Sequence, residues 1–182
     1  IPIKENSVIK SISTDTRTIK KRSMFIAIKG EHFDGNDFVD EALEKGAVII
    51  LADHKRYQEK KNKKIIYVEN TISALKKISE NIIKDFKGNV IAITGSNGKT
   101  TTTNLVYKTL KNSSKTLKNF NNEIGMPLSI MNASCKSNNL VLEIGASKSR
   151  DINYLSKILK PNVGVITNIG HSHLEKLGNI EG

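Results

Sequence analysis

The stretch Val90-Ile91-Ala92-Ile93-Thr94-Gly95-Ser96-Asn97-Gly98-Lys99-Thr100-Thr101 decides the fold. Its apolar, β-branched opening at 90–94 reads as a buried strand, two glycines open a turn, and a helix is expected from about Lys99 to Lys111. Phosphate oxygens need several converging N–H donors. A glycine turn feeding a helix N-terminus supplies them, with a favourable dipole. Lys99 would neutralise terminal phosphates and the Thr100 hydroxyl would reach Mg2+. The longer GxxxxGK[ST] pattern is not met, because Ile93 stands where its first glycine would be; the shorter GxxGKT remains. A glycine turn with an incidental lysine is the plain alternative.

Working toward the C-terminus, a βα rhythm continues: a strand at 140–144, a helix at 151–159 stopped by Pro161, and a strand at 163–167. Near-continuous apolar strands alternating with helices argue for a parallel sheet covered on both faces. In such sheets ligands sit beyond the carboxyl ends of the strands. Glu143 lies at one such end and can reach a nucleotide-bound Mg2+. Thr167-Asn168-Ile169-Gly170-His171-Ser172-His173-Leu174-Glu175 follows another, and spacing alone does not choose between His171 and His173. The amide-rich loop Asn119-Phe120-Asn121-Asn122-Glu123-Ile124-Gly125-Met126-Pro127 suits hydrogen-bonded recognition or simply an Asn-rich turn.

Toward the N-terminus, short apolar runs at 24–28, 47–52 and 65–68 read as buried strands. Between the first two, Asp37 to Lys45 places Phe38, Ala42 and Leu43 on one helical face, ended by Gly46. After Asn70, a good N-cap, Ile72, Leu75, Ile78, Ile82 and Phe86 form the stripe of an amphipathic helix over 71–86. Lys87-Gly88-Asn89 ends it, so two domains are expected, 1–86 and 89–182.

Composition narrows the partners. The 182 residues and 20.1 kDa allow one ordinary domain or two small ones. The net charge of +11 suggests an anionic partner, but 25 of the 29 basic residues are Lys and only 4 are Arg, the residue favoured for base and phosphate forks. Aromatics at 5% with no Trp give single strands little to stack on, so nucleic acid is not the expected partner. The basic run from Lys55 to Lys64 reads as an exposed loop or helix face. One cysteine, Cys135, and no metal-type Cys/His spacing fit a reducing cytoplasm. No apolar run is long enough to span a bilayer. A start without Met and a finish at Ile180-Glu181-Gly182 suggest a piece of a longer protein.

Taken together, Thr94-Gly95-Ser96-Asn97-Gly98-Lys99-Thr100-Thr101, the loop Asn121-Asn122-Glu123-Ile124-Gly125-Met126-Pro127, Glu143-Ile144-Gly145-Ala146-Ser147 and Thr167-Asn168-Ile169-Gly170 with His173-Leu174-Glu175 resemble the Mur ligases of peptidoglycan synthesis. Ser13-Thr14-Asp15-Thr16-Arg17 and the stretch from Phe25 to Phe38 are similar to that family's N-terminal UDP-sugar-binding domain. Within the family, the Asn-Asn-Glu-Ile-Gly loop resembles that of members that add D-alanyl-D-alanine to UDP-MurNAc-tripeptide.

The resemblance implies an α/β fold: a small N-terminal α/β substrate domain followed by a truncated P-loop parallel-sheet ATPase domain. It implies an ATP- and Mg2+-dependent peptide ligase working through an acyl phosphate, cytoplasmic and monomeric, of which these 182 residues alone would not ligate. Gly95, Ser96, Asn97, Gly98, Lys99, Thr100 and Thr101 would hold ATP; Thr100 and Glu143 would ligate one Mg2+, and His173 a second. His171 stands where many relatives carry Pro and is left out. Thr14, Thr16, Arg17, Glu31, His32 and Phe33 would face the UDP-linked substrate, with His32 departing from an expected Arg, and Asn121 and Asn122 would contact substrate. The lysine that can carry a carbamate would fall beyond Gly182. Three alternatives stay open: the tripeptide-forming Mur ligase, folylpolyglutamate synthase, and a basic P-loop nucleic-acid-binding module.

Overall fold

The structure, a computed structural model, describes residues 9–59, 62–147 and 149–170. The chain divides into two compact units, Ile1–Ala74 and Leu75–Gly182. Each is a four-stranded, all-parallel sheet with helices.

In the first unit β1 (Ser11–Ser13), β2 (Ser23–Ile26), β3 (Ala47–Ala52) and β4 (Ile65–Tyr67) lie in the order β1-β2-β3-β4. Phe25, Ile50, Ala52 and Ile65 form its core together with Val39 and Ala42 of α1 (Val39–Glu44). The helical face expected on Phe38 is rotated by one residue. Gly35–Phe38 is a 3-10 turn, so α1 starts at Val39, which is fully buried, while Phe38 stays 37% exposed. Gly46 ends the helix with φ +100°, a left-handed position that suits glycine. The basic run contains one 3-10 turn, Lys55–Tyr57, whose Tyr57 is buried; Lys55 and Arg56 are exposed.

The helix α2 (Thr71–Asp85) begins where Asn70 Oδ1 accepts from Ser73 N at 2.7 Å. Its fully buried line is Thr71, Leu75, Ser79 and Ile83, every fourth residue, with Ile72, Ile78, Ile82 and Phe86 half-buried on the flanks. Ser79 tolerates burial by donating to Leu75 O at 2.9 Å. From Leu75 on, α2 belongs to the second unit, where Ile82, Ile83 and Phe86 join that unit's core. Compactness thus divides the chain inside this helix, while the turn residues at 86–89 follow its end.

The second unit holds β5 (Asn89–Thr94), α3 (Lys99–Thr109), β6 (Ser113–Lys115), α4 (Gly125–Met131), β7 (Asn139–Glu143), α5 (Asp151–Leu159) and β8 (Val163–Ile166), with sheet order β6-β7-β5-β8. Both faces of β5 are covered, as the apolar run requires. Val90 and Ala92 pack with Leu140, Leu142, Leu155 and Ile158, whereas Ile91 and Ile93 pack with Val141, Val106 and Leu110. Each large aliphatic buried this way contributes about 1.5–3 kcal/mol, so β5 anchors the turn that follows it. β8 differs from the buried strand expected. It pairs with β5, yet Val163 is 49% and Ile166 64% exposed.

Candidate functional site

The site lies at the carboxyl ends of β7, β5 and β8, side by side in the second unit. Ile93 pairs with Glu143 and Thr94 with Ile166, so the residues following each strand emerge together. The turn after β5 needs its glycines. Gly95 has φ +136°, and a Cβ there would lie 2.1 Å from Thr167 Oγ1 and 2.9 Å from Asn168 O. Gly98, at φ +79°, caps α3.

Lys99 folds back over this turn, its Nζ donating to Gly95 O at 2.6 Å and Ser96 O at 3.2 Å. An ammonium has three N–H groups, so one remains for an incoming oxygen. The backbone donors divide. Ser96 N donates to Asn168 O at 3.0 Å and Asn97 N to Asn168 Oδ1 at 2.8 Å. The first turn of α3 carries N–H groups with no intrahelical acceptor, a natural seat for an anion. Of the 95–101 stretch expected to embrace phosphates, Ser96 N and Asn97 N are thus engaged within the protein, and the helix start is the part that offers donors.

Glu143 is 4% exposed and held from three sides. Thr100 Oγ1 donates to Oε2 at 2.8 Å, Asn121 Nδ2 donates to Oε1 at 2.8 Å, and its own backbone N donates to Thr116 Oγ1 at 2.6 Å. The Thr100 hydroxyl and the Glu143 carboxylate are hard oxygen donors of the kind Mg2+ takes, with phosphates and waters completing its octahedron. The donor set fits that ion. Among the described residues no group of three or more His, Cys, Asp or Glu could hold a metal unaided. His173, expected as a further ligand, lies outside the described residues, as do His171 and Glu175.

The amide loop resolves into distinct jobs. Asn121 ties to Glu143 and passes so close to Gly145 that a Cβ there would lie 2.9 Å from its Oδ1. Asn122 Oδ1 accepts from Gly125 N at 2.8 Å and Ile124 N at 3.2 Å, fixing the start of α4. Between this loop and α5 lies a cleft of about 390 Å3, lined by Lys99, Asn121, Glu123, Ser147, Asp151 and Tyr154. Burial, and then the charges of Glu123 and Glu80, push the Tyr154 hydroxyl above its ordinary value, so it remains a donor at neutral pH.

The first unit carries its own loop cluster. Thr14, Thr16 and Arg17 follow β1; Glu31, His32 and Phe33 follow its neighbour β2. Thr16 is buried, whereas Arg17 is exposed and engaged by Asp15, with Nε 2.9 Å from Oδ1 and Nη2 2.7 Å from Oδ2. Asp15's hydrogen bond and charge raise the Arg17 pKa further. Glu31, His32 and Phe33 are exposed on a turn closed by Gly30 N donating to Phe33 O at 2.8 Å.

Sequence reasoning missed the polar knot beneath that turn. Asn36, 1% exposed, donates through Nδ2 to Asp34 Oδ1 (2.7 Å) and Asp53 Oδ1 (2.8 Å), and its carbonyl accepts from Tyr57 Oη at 2.9 Å. Asp53 Oδ2 also accepts from the backbone and hydroxyl of Thr71. Only Asp34-Gly35, a turn dipeptide, hinted at it. Nor was Asn168, which stitches β8 to the turn, singled out for a role of its own.

Comparison with known proteins agrees with both halves. Residues 8–85 match the family described as "Mur ligase family, catalytic domain", and residues 93–182 match "Mur ligase middle domain". The UDP-N-acetylmuramoyl-tripeptide--D-alanyl-D-alanine ligase of Bacillus subtilis is 39% identical over 184 residues, covering 100% of this chain and 40% of the relative. The protein of the same name from Buchnera aphidicola subsp. Baizongia pistaciae is 44% identical over 169 residues, 91% of this chain and 36% of the relative. The crystal structure of MurF ligase from Thermotoga maritima in complex with ADP superposes with a TM-score of 0.83 at 38% identity, over 97% of this chain and 42% of that one. The chain thus spans about 40% of the length of the curated relatives it matches.

Proposed function

Because the chain belongs to the Mur ligase family, we propose that it forms the substrate-binding and part of the ATP-binding portion of a ligase joining D-alanyl-D-alanine to UDP-MurNAc-tripeptide. The observation carrying this reading is the Thr100–Glu143–Asn121 constellation at the mouth of the Gly95–Gly98 turn. Relatives bearing that name, at 39% and 44% identity, support it.

The chemistry asked of these residues is positioning and charge neutralisation. A carboxylate is a poor electrophile, so its oxygen attacks the γ-phosphorus of ATP, giving an acyl phosphate and ADP. The dipeptide amine then attacks the acyl carbon, phosphate leaves, and a peptide bond forms with loss of a proton. Little covalent work falls on the protein. The helical N–H groups of 98–101 receive phosphate oxygens, and the free N–H of Lys99 adds a positive charge beside them. Thr100 and Glu143 would hold Mg2+, which supplies neutralisation of the phosphate charge when bound. Asn121 keeps the Glu143 carboxylate turned toward Thr100, and His173 would add a metal ligand.

In the first unit, Thr14, Thr16, Arg17, Glu31, His32 and Phe33 would face the UDP-linked substrate, with Asn122 near its peptide. Among the described residues no helix is long and apolar enough to cross a membrane. The reading puts the enzyme in the cytoplasm, where ATP and UDP-linked precursors meet.

Lys99→Ala in the full-length protein tests it. ADP release dependent on UDP-MurNAc-tripeptide should disappear while the circular dichroism spectrum is kept. Persisting turnover would remove the turn from the mechanism.

A further inference from the structure

A row of lysines lies along one edge of the first unit's sheet, and the parallel topology puts it there. In an all-parallel sheet every connection returns to the same edge before the next strand begins. Lys10 precedes β1, Lys20 and Lys21 precede β2, Lys45 precedes β3, and Lys63 and Lys64 precede β4. Residues far apart in sequence thus gather at the amino ends of four neighbouring strands. Strands roughly 4.8 Å apart make this row about 14 Å wide. Its backbone is knitted sideways: Lys10 N donates to Arg22 O and Arg22 N to Gly46 O, both at 2.9 Å, and Ile50 N donates to Lys64 O at 2.8 Å.

All six lysines are exposed. Lys45 pairs with Glu41 at 2.6 Å, and the other five join no ion pair with a described residue. Glu41 and Glu44 of α1 are the acids nearest in sequence to Lys45. Other acids gather at the carboxyl ends, where Asp15, Glu31, Asp34 and Asp53 follow β1, β2 and β3 beside Arg17 and Lys29. In the second unit Lys87, Lys111 and Lys160 follow the ends of α2, α3 and α5, where a cation complements the helix dipole. Between β1 and β2, and between β3 and β4, the described residues form only 3-10 turns. No α-helix end there calls for Lys20, Lys21, Lys63 or Lys64.

We infer that this edge docks on an anionic lipid surface. A protein partner would need apolar or aromatic anchors, and lysine is depleted in such interfaces. A nucleic acid would need arginine forks or stacking rings. The row supplies neither: Glu44, Gly46 and Asn62 stand beside its lysines, and its one arginine, Arg22, is half-buried. Compact ammonium groups on flexible stems suit many diffuse headgroup charges at once. Docking by this edge leaves the loops of Thr14 to Arg17 and Glu31 to Phe33 at the far edge, away from the lipid. Such binding is independent of the ligase reading.

Sedimentation of the full-length protein with vesicles tests it, using pure phosphatidylcholine against phosphatidylcholine containing about one-third phosphatidylglycerol. Wild type should bind the anionic vesicles alone and leave them as salt rises. Lys20→Gln, Lys21→Gln, Lys63→Gln and Lys64→Gln combined should weaken binding about hundredfold or more, since each charge near such a surface counts for about fivefold. Arginine at the same four positions should keep it. Glutamine at four exposed lysines outside the row, Lys77, Lys108, Lys118 and Lys157, should weaken it far less, and every variant should melt like wild type. No binding to the anionic vesicles, equal weakening by the two glutamine sets, or tighter binding to duplex DNA or polyglutamate than to vesicles would each overturn the inference.

Discussion

Replacing Gly95 by alanine should damage nucleotide binding more than any comparably small change nearby. The left-handed φ of +136° imposes a strain of about 1–3 kcal/mol on a residue with a Cβ. That Cβ would also sit 2.1 Å from Thr167 Oγ1. Moving the hydroxyl breaks the bond its single proton makes to Asn97 O at 2.5 Å, with a net contribution of about 0.5–1.5 kcal/mol. Together the cost is about 1.5–4.5 kcal/mol, a large part of the roughly 5–15 kcal/mol that holds a domain folded. Calorimetric titration with Mg·ADP and thermal unfolding of the full-length protein read the effect. Affinity should fall by at least about tenfold, since each 1.4 kcal/mol is a factor of ten, and the melting temperature by about 4 °C or more. Gly95→Ala with Thr167→Ala should recover only part of the loss, because the 2.9 Å approach to Asn168 O and the φ both persist. A single variant that binds and melts like wild type would refute the idea that close backbone approach shapes this turn.

Three further outcomes follow from the same geometry. Thr100→Val removes a hydroxyl from Glu143 Oε2 and from the proposed cation site; the Mg2+ concentration for half-maximal turnover of the full-length protein should rise about tenfold or more, with the fold intact by circular dichroism. Asn121→Leu leaves Glu143 Oε1 without its donor, which should lower stability by about 1.5–3 kcal/mol in a denaturant titration and weaken Mg2+ dependence in the same direction as Thr100→Val. In the first unit, burial pushes the Asp34 carboxyl up, but the bonds from Asn36 and the charges of Lys29 and His54 outweigh it and hold the pKa below its ordinary value. A lowered folded pKa means stability that is present above the unfolded value and lost as pH falls through the folded one; Asn36→Leu should flatten that acid limb in unfolding curves, and an unaltered limb would sink the assignment.

What could be read from residues alone tracks where local chemistry dictates structure. Gly95, Gly98, Lys99 and Thr100 were legible because a strand, a glycine turn and a helix start are encoded in neighbouring positions. Glu143 followed from its place at a strand end. By contrast β1 and β6, Ser11–Ser13 and Ser113–Lys115, are three polar-rich residues each, held in place by pairing with β2 and β7 rather than by an apolar pattern. α4 is only seven residues and buried on nearly every side, Gly125 through Ile130, so it has no periodicity to betray it. The roles of Asn121, Asn36 and Asn168 were hidden for a different reason: each meets a partner 17 to 71 positions away, and an amide announces nothing about which distant group it will meet.

The stitch between Asn168 and the turn has a consequence for how the protein is born. Ser96 and Asn97 are fastened by residues more than seventy positions later in the chain, Asn168 and Gly170. A ribosome delivers the chain from the N-terminus, and such long-range pairing forms late and slowly. A nascent polypeptide that has reached Thr101 carries every letter of the Gly95–Thr101 motif, but the motif gains its shape only after β8 and the residues behind it have emerged and docked.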